Sequence, residues 1–152
     1  MELIKLHRTN AENEDFKSLV RALDKELAIR DGDDHSFYHQ FNAIDAINYT
    51  LVAYLDEIPV GCGAIKPFGE DAMEVKRMYT LPSYRGKGIA SLILIELEAW
   101  ASELSYKSCV LETGKQQPEA MALYKKQGYE TIPNYGQYAG ITNSQCFKKE
   151  LN

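Results

Sequence analysis

The chain has 152 residues, 45% of them apolar and 26% charged, with a formal net charge of −5. That length supports one domain with a single buried core, and no stretch approaches the ~18 continuous apolar residues that a membrane span needs. An acidic chain with scattered Lys and Arg also repels phosphate backbones, which disfavours nucleic acid as a partner.

The opening stretch, MELIKLHRTNAENEDF, lacks the basic, apolar and small-residue regions of a signal peptide, so a cytoplasmic protein is expected. LIKLHRT reads as a strand. Phe16, Leu19, Val20, Leu23 and Leu27 recur at helical spacing between Ala11 and Ile29, with an N-cap expected at Thr9 or Asn10. RDGDDHSFYHQFN follows as an acidic turn leading into a short aromatic helix. YTLVAYLDEIPVGCGAIKPF is a hairpin turning at Asp56 and Glu57, and AMEVKRMYTL is a strand ended by Pro82. From Gly86 to Leu104, the positions Ile89, Leu92, Ile93, Ile95, Leu97, Trp100 and Leu104 predict a helix buried on most faces. KSCVLET is a strand, QPEAMALYKKQ a helix with Pro118 in its first turn and Gly128 past its end, and SQCFKKEL a closing strand.

The order βααβββαβαβ predicts an α/β (or α+β) domain over residues 1–152, built on a mixed sheet. Cys62, Cys109 and Cys146 are odd in number and far apart, which suits buried thiols rather than disulfides or a zinc ribbon. His35 and His39 stand at i, i+4, but no third ligand has a recognisable spacing, so no metal is expected.

A strand, a proline-containing loop, Arg85-Gly86-Lys87-Gly88 and a helix start bring unsatisfied amides and the positive end of a dipole to one spot. This predicts an anion site, since the glycines let amides approach phosphate oxygens while Arg85 and Lys87 add charge. The Walker pattern fails at Leu81 and Gly88, which disfavours a nucleoside triphosphatase. The dinucleotide fingerprint comes nearer, with Glu112 near the end of the next strand. Ser91 nevertheless replaces its third glycine, and too little chain remains for a doubly wound sheet.

VKRMYTLPSYRGKGIA resembles motif A of the GNAT superfamily of acyl-CoA N-acyltransferases, [QR]-x-x-G-x-[GA], at Arg85, Gly88 and Ala90. QPEAMALYKKQGYETIP is similar to the superfamily's following helix and strand. The resemblance implies a central mixed, twisted sheet splayed between its fourth and fifth strands, flanked by helices, with acetyl-CoA in the cleft. It implies pantetheine pairing with the backbone of Met78, Tyr79 and Thr80, and pyrophosphate on the amides of Arg85, Gly86, Lys87, Gly88, Ile89 and Ala90. Gln117 stands where many members have an asparagine, and its longer amide offers the same donor and acceptor.

Acyl transfer to an amine poses two proton problems. An alkylamine of pKa ~10.4 is almost wholly protonated at neutral pH, so freeing its lone pair costs about 4–5 kcal/mol and calls for a base. Glu74 stands where several members carry a proton-accepting glutamate, although a strand-end carboxylate is also common without a function. Glu112 is a second candidate, as base or substrate anchor. The resemblance places Tyr124 beside the departing thiolate, to which a phenol can donate. Asp33 and Asp34, in the acidic turn that family members use to wall the acceptor pocket, and Tyr135 in IPNYGQYAG are candidate substrate contacts. The expected activity is acetyl transfer from acetyl-CoA to a small-molecule or peptide amine, by direct attack in a ternary complex and without a metal. The alternative is a non-catalytic acyl-CoA-binding or regulatory domain. The sequence sets neither the acceptor nor the oligomeric state, and a homodimer is compatible with it.

Overall fold

The structure is a computed structural model that describes residues 3–31 and 47–151. The first half of the chain builds an antiparallel meander. β1 (Ile4–Thr9) pairs with β2 (Tyr49–Leu55), β2 with β3 (Ile58–Phe68), and β3 with β4 (Ala72–Thr80). The hairpin between β2 and β3 turns at Asp56 and Glu57, both with positive φ, as its twist requires. α1 (Glu14–Asp31) connects β1 to the segment before β2. It begins later than expected, and Asn13 rather than Thr9 or Asn10 caps it, its Oδ1 accepting the Phe16 amide at 2.9 Å. Asn10 instead accepts the Glu12 amide in the preceding turn. The aromatic helix expected after α1 lies outside the described residues.

The second half adds α2 (Ile89–Glu103), β5 (Ser108–Gly114), α3 (Pro118–Lys126), the three-residue strand β6 (Glu130–Ile132) and β7 (Ser144–Glu150). The seven strands lie in the order β1-β2-β3-β4-β5-β7-β6. α1 covers one face of the sheet, burying Phe16, Leu19, Val20 and Leu23 against Val52, Cys62 and Ala64. α2 covers the other, with Ile89, Ile93, Leu94 and Leu97 against Leu51, Val60, Ile65 and Met73. Only this stripe of α2 is buried. Leu92, Ile95 and Leu104 are 41%, 51% and 36% exposed, because a helix laid on one sheet face contacts it along one side. The three cysteines are buried free thiols. Among the described residues no helix is long and apolar enough to cross a membrane.

Two irregularities shape the site. The first is a β-bulge in β4. Met73 and Val75 pack under α2, and so does Met78, three residues on rather than two, while Tyr79 packs under α1. The register with β3 shifts at the same place, between Cys62 and Ala64, and Arg77 takes a left-handed φ of 61°. The second is a split in the sheet. β4 and β5 pair in parallel only at Ala72↔Ser108, Met73↔Cys109 and Glu74↔Val110, whereas β5 stays paired with β7 along its length. The expected splay between the fourth and fifth strands is therefore present.

Candidate active site

The split is occupied by two connected chambers. The larger, of about 460 Å³, runs from Met78, Tyr79 and Thr80 of β4 past the loop at Arg85–Ser91 to α3. Since the β4–β5 ladder stops at Glu74, the rest of that β4 edge faces the split, where an extended ligand can pair with it as a strand would. The Thr80 hydroxyl is buried there without a hydrogen-bond partner among the described residues. Gly86 and Gly88 both have φ of 81°, and a Cβ on either would meet no atom within 4 Å. Glycine is required by the backbone conformation, and the space beside it is open. Gly88 is the N-cap of α2, no side chain caps it, and the first helical bond runs from the Leu92 amide to the Gly88 carbonyl at 3.1 Å. The amides of Ile89, Ala90 and Ser91 consequently have no acceptor within the helix.

Arg85 is placed differently from the expectation that its charge serves the loop directly. Its Nε donates to the Thr80 carbonyl at 2.8 Å, its guanidinium donates to Glu26 of α1 at 2.9 Å, and it lies 5.5 Å from the centre of the Tyr79 ring. It ties the loop to β4 and α1. Lys87 is exposed and does not line the chamber. The cradle consists chiefly of backbone amides and the helix dipole.

The smaller chamber, of about 110 Å³, is lined by Asp24, Glu74, Lys76, Arg77, Glu112 and Tyr138, among others. Glu74 is only 6% exposed. Its Oε2 accepts from the Tyr135 hydroxyl at 2.7 Å, and its Oε1 lies 3.6 Å from Lys76 Nζ. The Tyr135 ring packs at a tilt against Phe68 and edge-on against Tyr138, with ring centres 4.7 and 5.8 Å apart, so the donor is held in place. Burial, reinforced by the Glu74 charge, pushes the Tyr135 hydroxyl well above its ordinary range and keeps it a donor. Burial lowers the Lys76 ammonium, opposed by Glu74, and lowers Arg77, opposed by Asp24.

The structure thus brings Glu74, Glu112 and Tyr135 to one place, although they stand far apart in the sequence. Asp33 and Asp34 lie outside the described residues. Asp24, Lys76 and Arg77 were not singled out by sequence reasoning. Period-two alternation along β4 groups Glu74 with Lys76 on one face, but only the bulge adds Arg77 to the same chamber.

Tyr124 of α3 lines both chambers, together with Leu23, Met78, Gln117 and Ala120. Its ring is held against Tyr129 and Phe147 at 5.8 and 6.1 Å. Burial and the Glu112 carboxylate push its hydroxyl above the ordinary value, so it is firmly protonated. Among the described residues no group of three or more His, Cys, Asp or Glu could hold a metal ion.

The fold and part of the sequence are shared with known proteins. Residues 13–129 match the model of the Acetyltransferase (GNAT) family. The chain is 40% identical over 87 residues to YjgM of Escherichia coli (strain K12), named an uncharacterized N-acetyltransferase. That match covers 55% of this chain and 52%, about half, of the relative. A crystal structure from Klebsiella pneumoniae, provisionally named an acyl-CoA N-acyltransferase, superposes with a TM-score of 0.82 at 26% identity over 99% of both chains. The PaiA N-acetyltransferase of Thermoplasma acidophilum, crystallised with coenzyme A, shares the fold with a TM-score of 0.71 at 20% identity, covering 97% of this chain and 99% of that one. A split sheet, an uncapped glycine-led helix facing the split and a family match over residues 13–129 lead to one assignment: the chain belongs to the acetyltransferase (GNAT) family.

Proposed function

We propose that the protein transfers the acetyl group of acetyl-CoA to a primary amine by direct attack within a ternary complex. The observation that carries this reading is the meeting of two unlike chambers at Tyr124, one with a phosphate-type cradle and an open strand edge, the other with the carboxylates of Asp24, Glu74 and Glu112. The residues fit the donor. The β4 edge at Met78–Thr80 suits pantetheine, the amides from Gly86 to Ala90 suit the pyrophosphate, the Arg85 amide being taken by the Pro82 carbonyl at 3.3 Å, and the Gln117 amide stands between the chambers. Structural neighbours that hold coenzyme A or acetyl-CoA support the choice of donor.

Bound acetyl-CoA supplies an activated acyl carbon and a thiol leaving group. The chain's own residues handle the protons. Glu74, one oxygen held by the Tyr135 hydroxyl and the other 3.6 Å from Lys76 Nζ, accepts the proton that keeps the amine from attacking, with Glu112 and Asp24 as the other carboxylates lining the chamber. As the C–N bond forms and the C–S bond breaks, the Tyr124 hydroxyl donates a hydrogen bond to the departing sulfur. Its raised pKa makes full proton transfer to a thiolate of conjugate-acid pKa ~8.5 uphill, so stabilisation by that bond precedes the transfer. The balance is one ammonium and one thioester giving an amide, a thiol and one proton.

Thiol release with acetyl-CoA over a panel of amines tests the reading. Amine-dependent release with stoichiometric N-acetylated product is expected. Tight acetyl-CoA binding with no release for any amine would instead mark a binding domain.

A further inference from the structure

We propose that the acceptor carries a carboxylate beside its amine, as a small α-amino acid does, and that Lys76 anchors that carboxylate. The inference rests on the transfer reading above and names its substrate class.

Lys76 carries the argument. Its side chain is 8% exposed, yet its ammonium makes no hydrogen bond to any described residue, and its ion pair with Glu74 Oε1 is long, at 3.6 Å. An ammonium has three donors, and these find no hydrogen-bond acceptor among the described residues, so they are left to whatever fills the chamber. Glu74 does not close the gap, because its other oxygen is held by the Tyr135 hydroxyl at 2.7 Å. Lys76 lines the smaller chamber, so an anionic oxygen on a ligand there would supply the acceptor it lacks.

The charge layout agrees. The bulge sets two successive cations, Lys76 and Arg77, into the chamber from β4, while Asp24 of α1, Glu74 and Glu112 of β5 supply the negative charge. A chamber with both signs on its walls complements a zwitterion. A simple alkylamine or a polyamine would answer the carboxylates of Asp24, Glu74 and Glu112 but leave the Lys76 donors without an oxygen. In an α-amino acid the two charges are adjacent, as are Lys76 Nζ and Glu74 Oε1. With the carboxylate on Lys76, the neighbouring ammonium lies beside Glu74, gives up one proton to it, and its nitrogen forms the C–N bond as the C–S bond breaks. The products are an N-acetylamino acid and the free thiol of coenzyme A.

The test uses matched pairs that differ only in this charge, α-amino acids and their α-amides, such as alanine and alaninamide. Two readouts are taken on the whole chain: calorimetric binding to the protein saturated with CoA, and thiol release with acetyl-CoA. For at least one pair the acid should be favoured by about ten- to a hundredfold, mainly through KM, the range expected for one hydrogen bond to a charged group. Lys76→Met should bring the ratio close to one by weakening the acid, and Lys76→Arg should keep most of it. Amides that equal or surpass the acids in every pair would overturn the inference, as would a ratio that survives Lys76→Met with acetyl-CoA affinity intact. Should Lys76→Met fail to fold, the wild-type ratio decides alone. The two readings fail separately. Acids that bind the CoA-loaded protein without thiol release would keep the anchor and sink the transfer reading, whereas acids and amides turned over alike would do the reverse.

Discussion

Glu74 is buried, hydrogen-bonded through one oxygen and facing an ammonium with the other, so its position is set before any substrate arrives. Such preorganisation suits a base, which needs reach and orientation more than mobility. Glu74→Gln keeps an oxygen for Tyr135 and removes the charge, making it a clean probe. The sign of its pH dependence follows from the amine. Below the amine's pKa, ~10.4 for an alkylamine, the neutral fraction falls about tenfold per pH unit, and the need for a base rises accordingly. The variant should therefore lose most kcat/KM near pH 7 and progressively less toward pH 10, measured by thiol release against Glu112→Gln at the same pH values. A loss that is uniform across pH, or no loss, would take Glu74 out of proton transfer and leave Glu112 or water. From the sequence, Glu74, Glu112 and Tyr135 were three separate candidates. Their convergence was not legible, because it depends on how a loop before β7 folds back over the start of β4.

The elements divide into those that local pattern specifies and those that pairing specifies. The helical stripe of α1 and the hairpin turn at Asp56 and Glu57 follow from periodicity and turn chemistry, and they were legible. The β4 bulge was not, since AMEVKRMYT reads as an ordinary strand until its register with β3 is known. Close packing of α2 on β3 depends on a second feature hidden from pattern. A Cβ at Gly63 would come within 2.7 Å of Met78 Sδ and 2.8 Å of both Ile93 Cγ2 and Leu97 Cδ1. Gly63→Ala should overpack that contact by about 1–3 kcal/mol, lowering Tm by roughly 2–12 °C in a thermal melt. An unchanged Tm would show that α2 yields there. Gly88 tests the other end of the same helix. Space around it is open, so Gly88→Val pays only local left-handed strain, about 1–2 kcal/mol, while placing its side chain where the cradle faces the larger chamber. Calorimetry should find acetyl-CoA affinity reduced tenfold or more in a folded protein. Unchanged affinity would remove the cradle from the donor site.

At the scale of the molecule, the strand order places the split at the parallel pairing of β4 with β5, whose ladder ends after three residue pairs. Both chambers open there. The larger chamber is built mainly of near neighbours, Met78 to Ser91, and was largely legible through motif A. The smaller one draws on α1, β4, β5 and the loop before β7 at once, and no local spacing announces Asp24, Lys76 or Arg77 as its walls. Tyr124 is shared by both chambers, so it tests whether the split sheet brings donor and acceptor together. The decisive measurement is kcat for thiol release by Tyr124→Phe at saturating acetyl-CoA and amine, with acetyl-CoA affinity measured alongside. Phe keeps the ring against Tyr129 and Phe147 and deletes only the hydroxyl. Loss of a positioned proton donor predicts a fall of about 10²–10⁴ in kcat with affinity unchanged. Turnover at the wild-type rate would contradict the account, because the hydroxyl of the residue that lines both chambers would then take no part in the transfer.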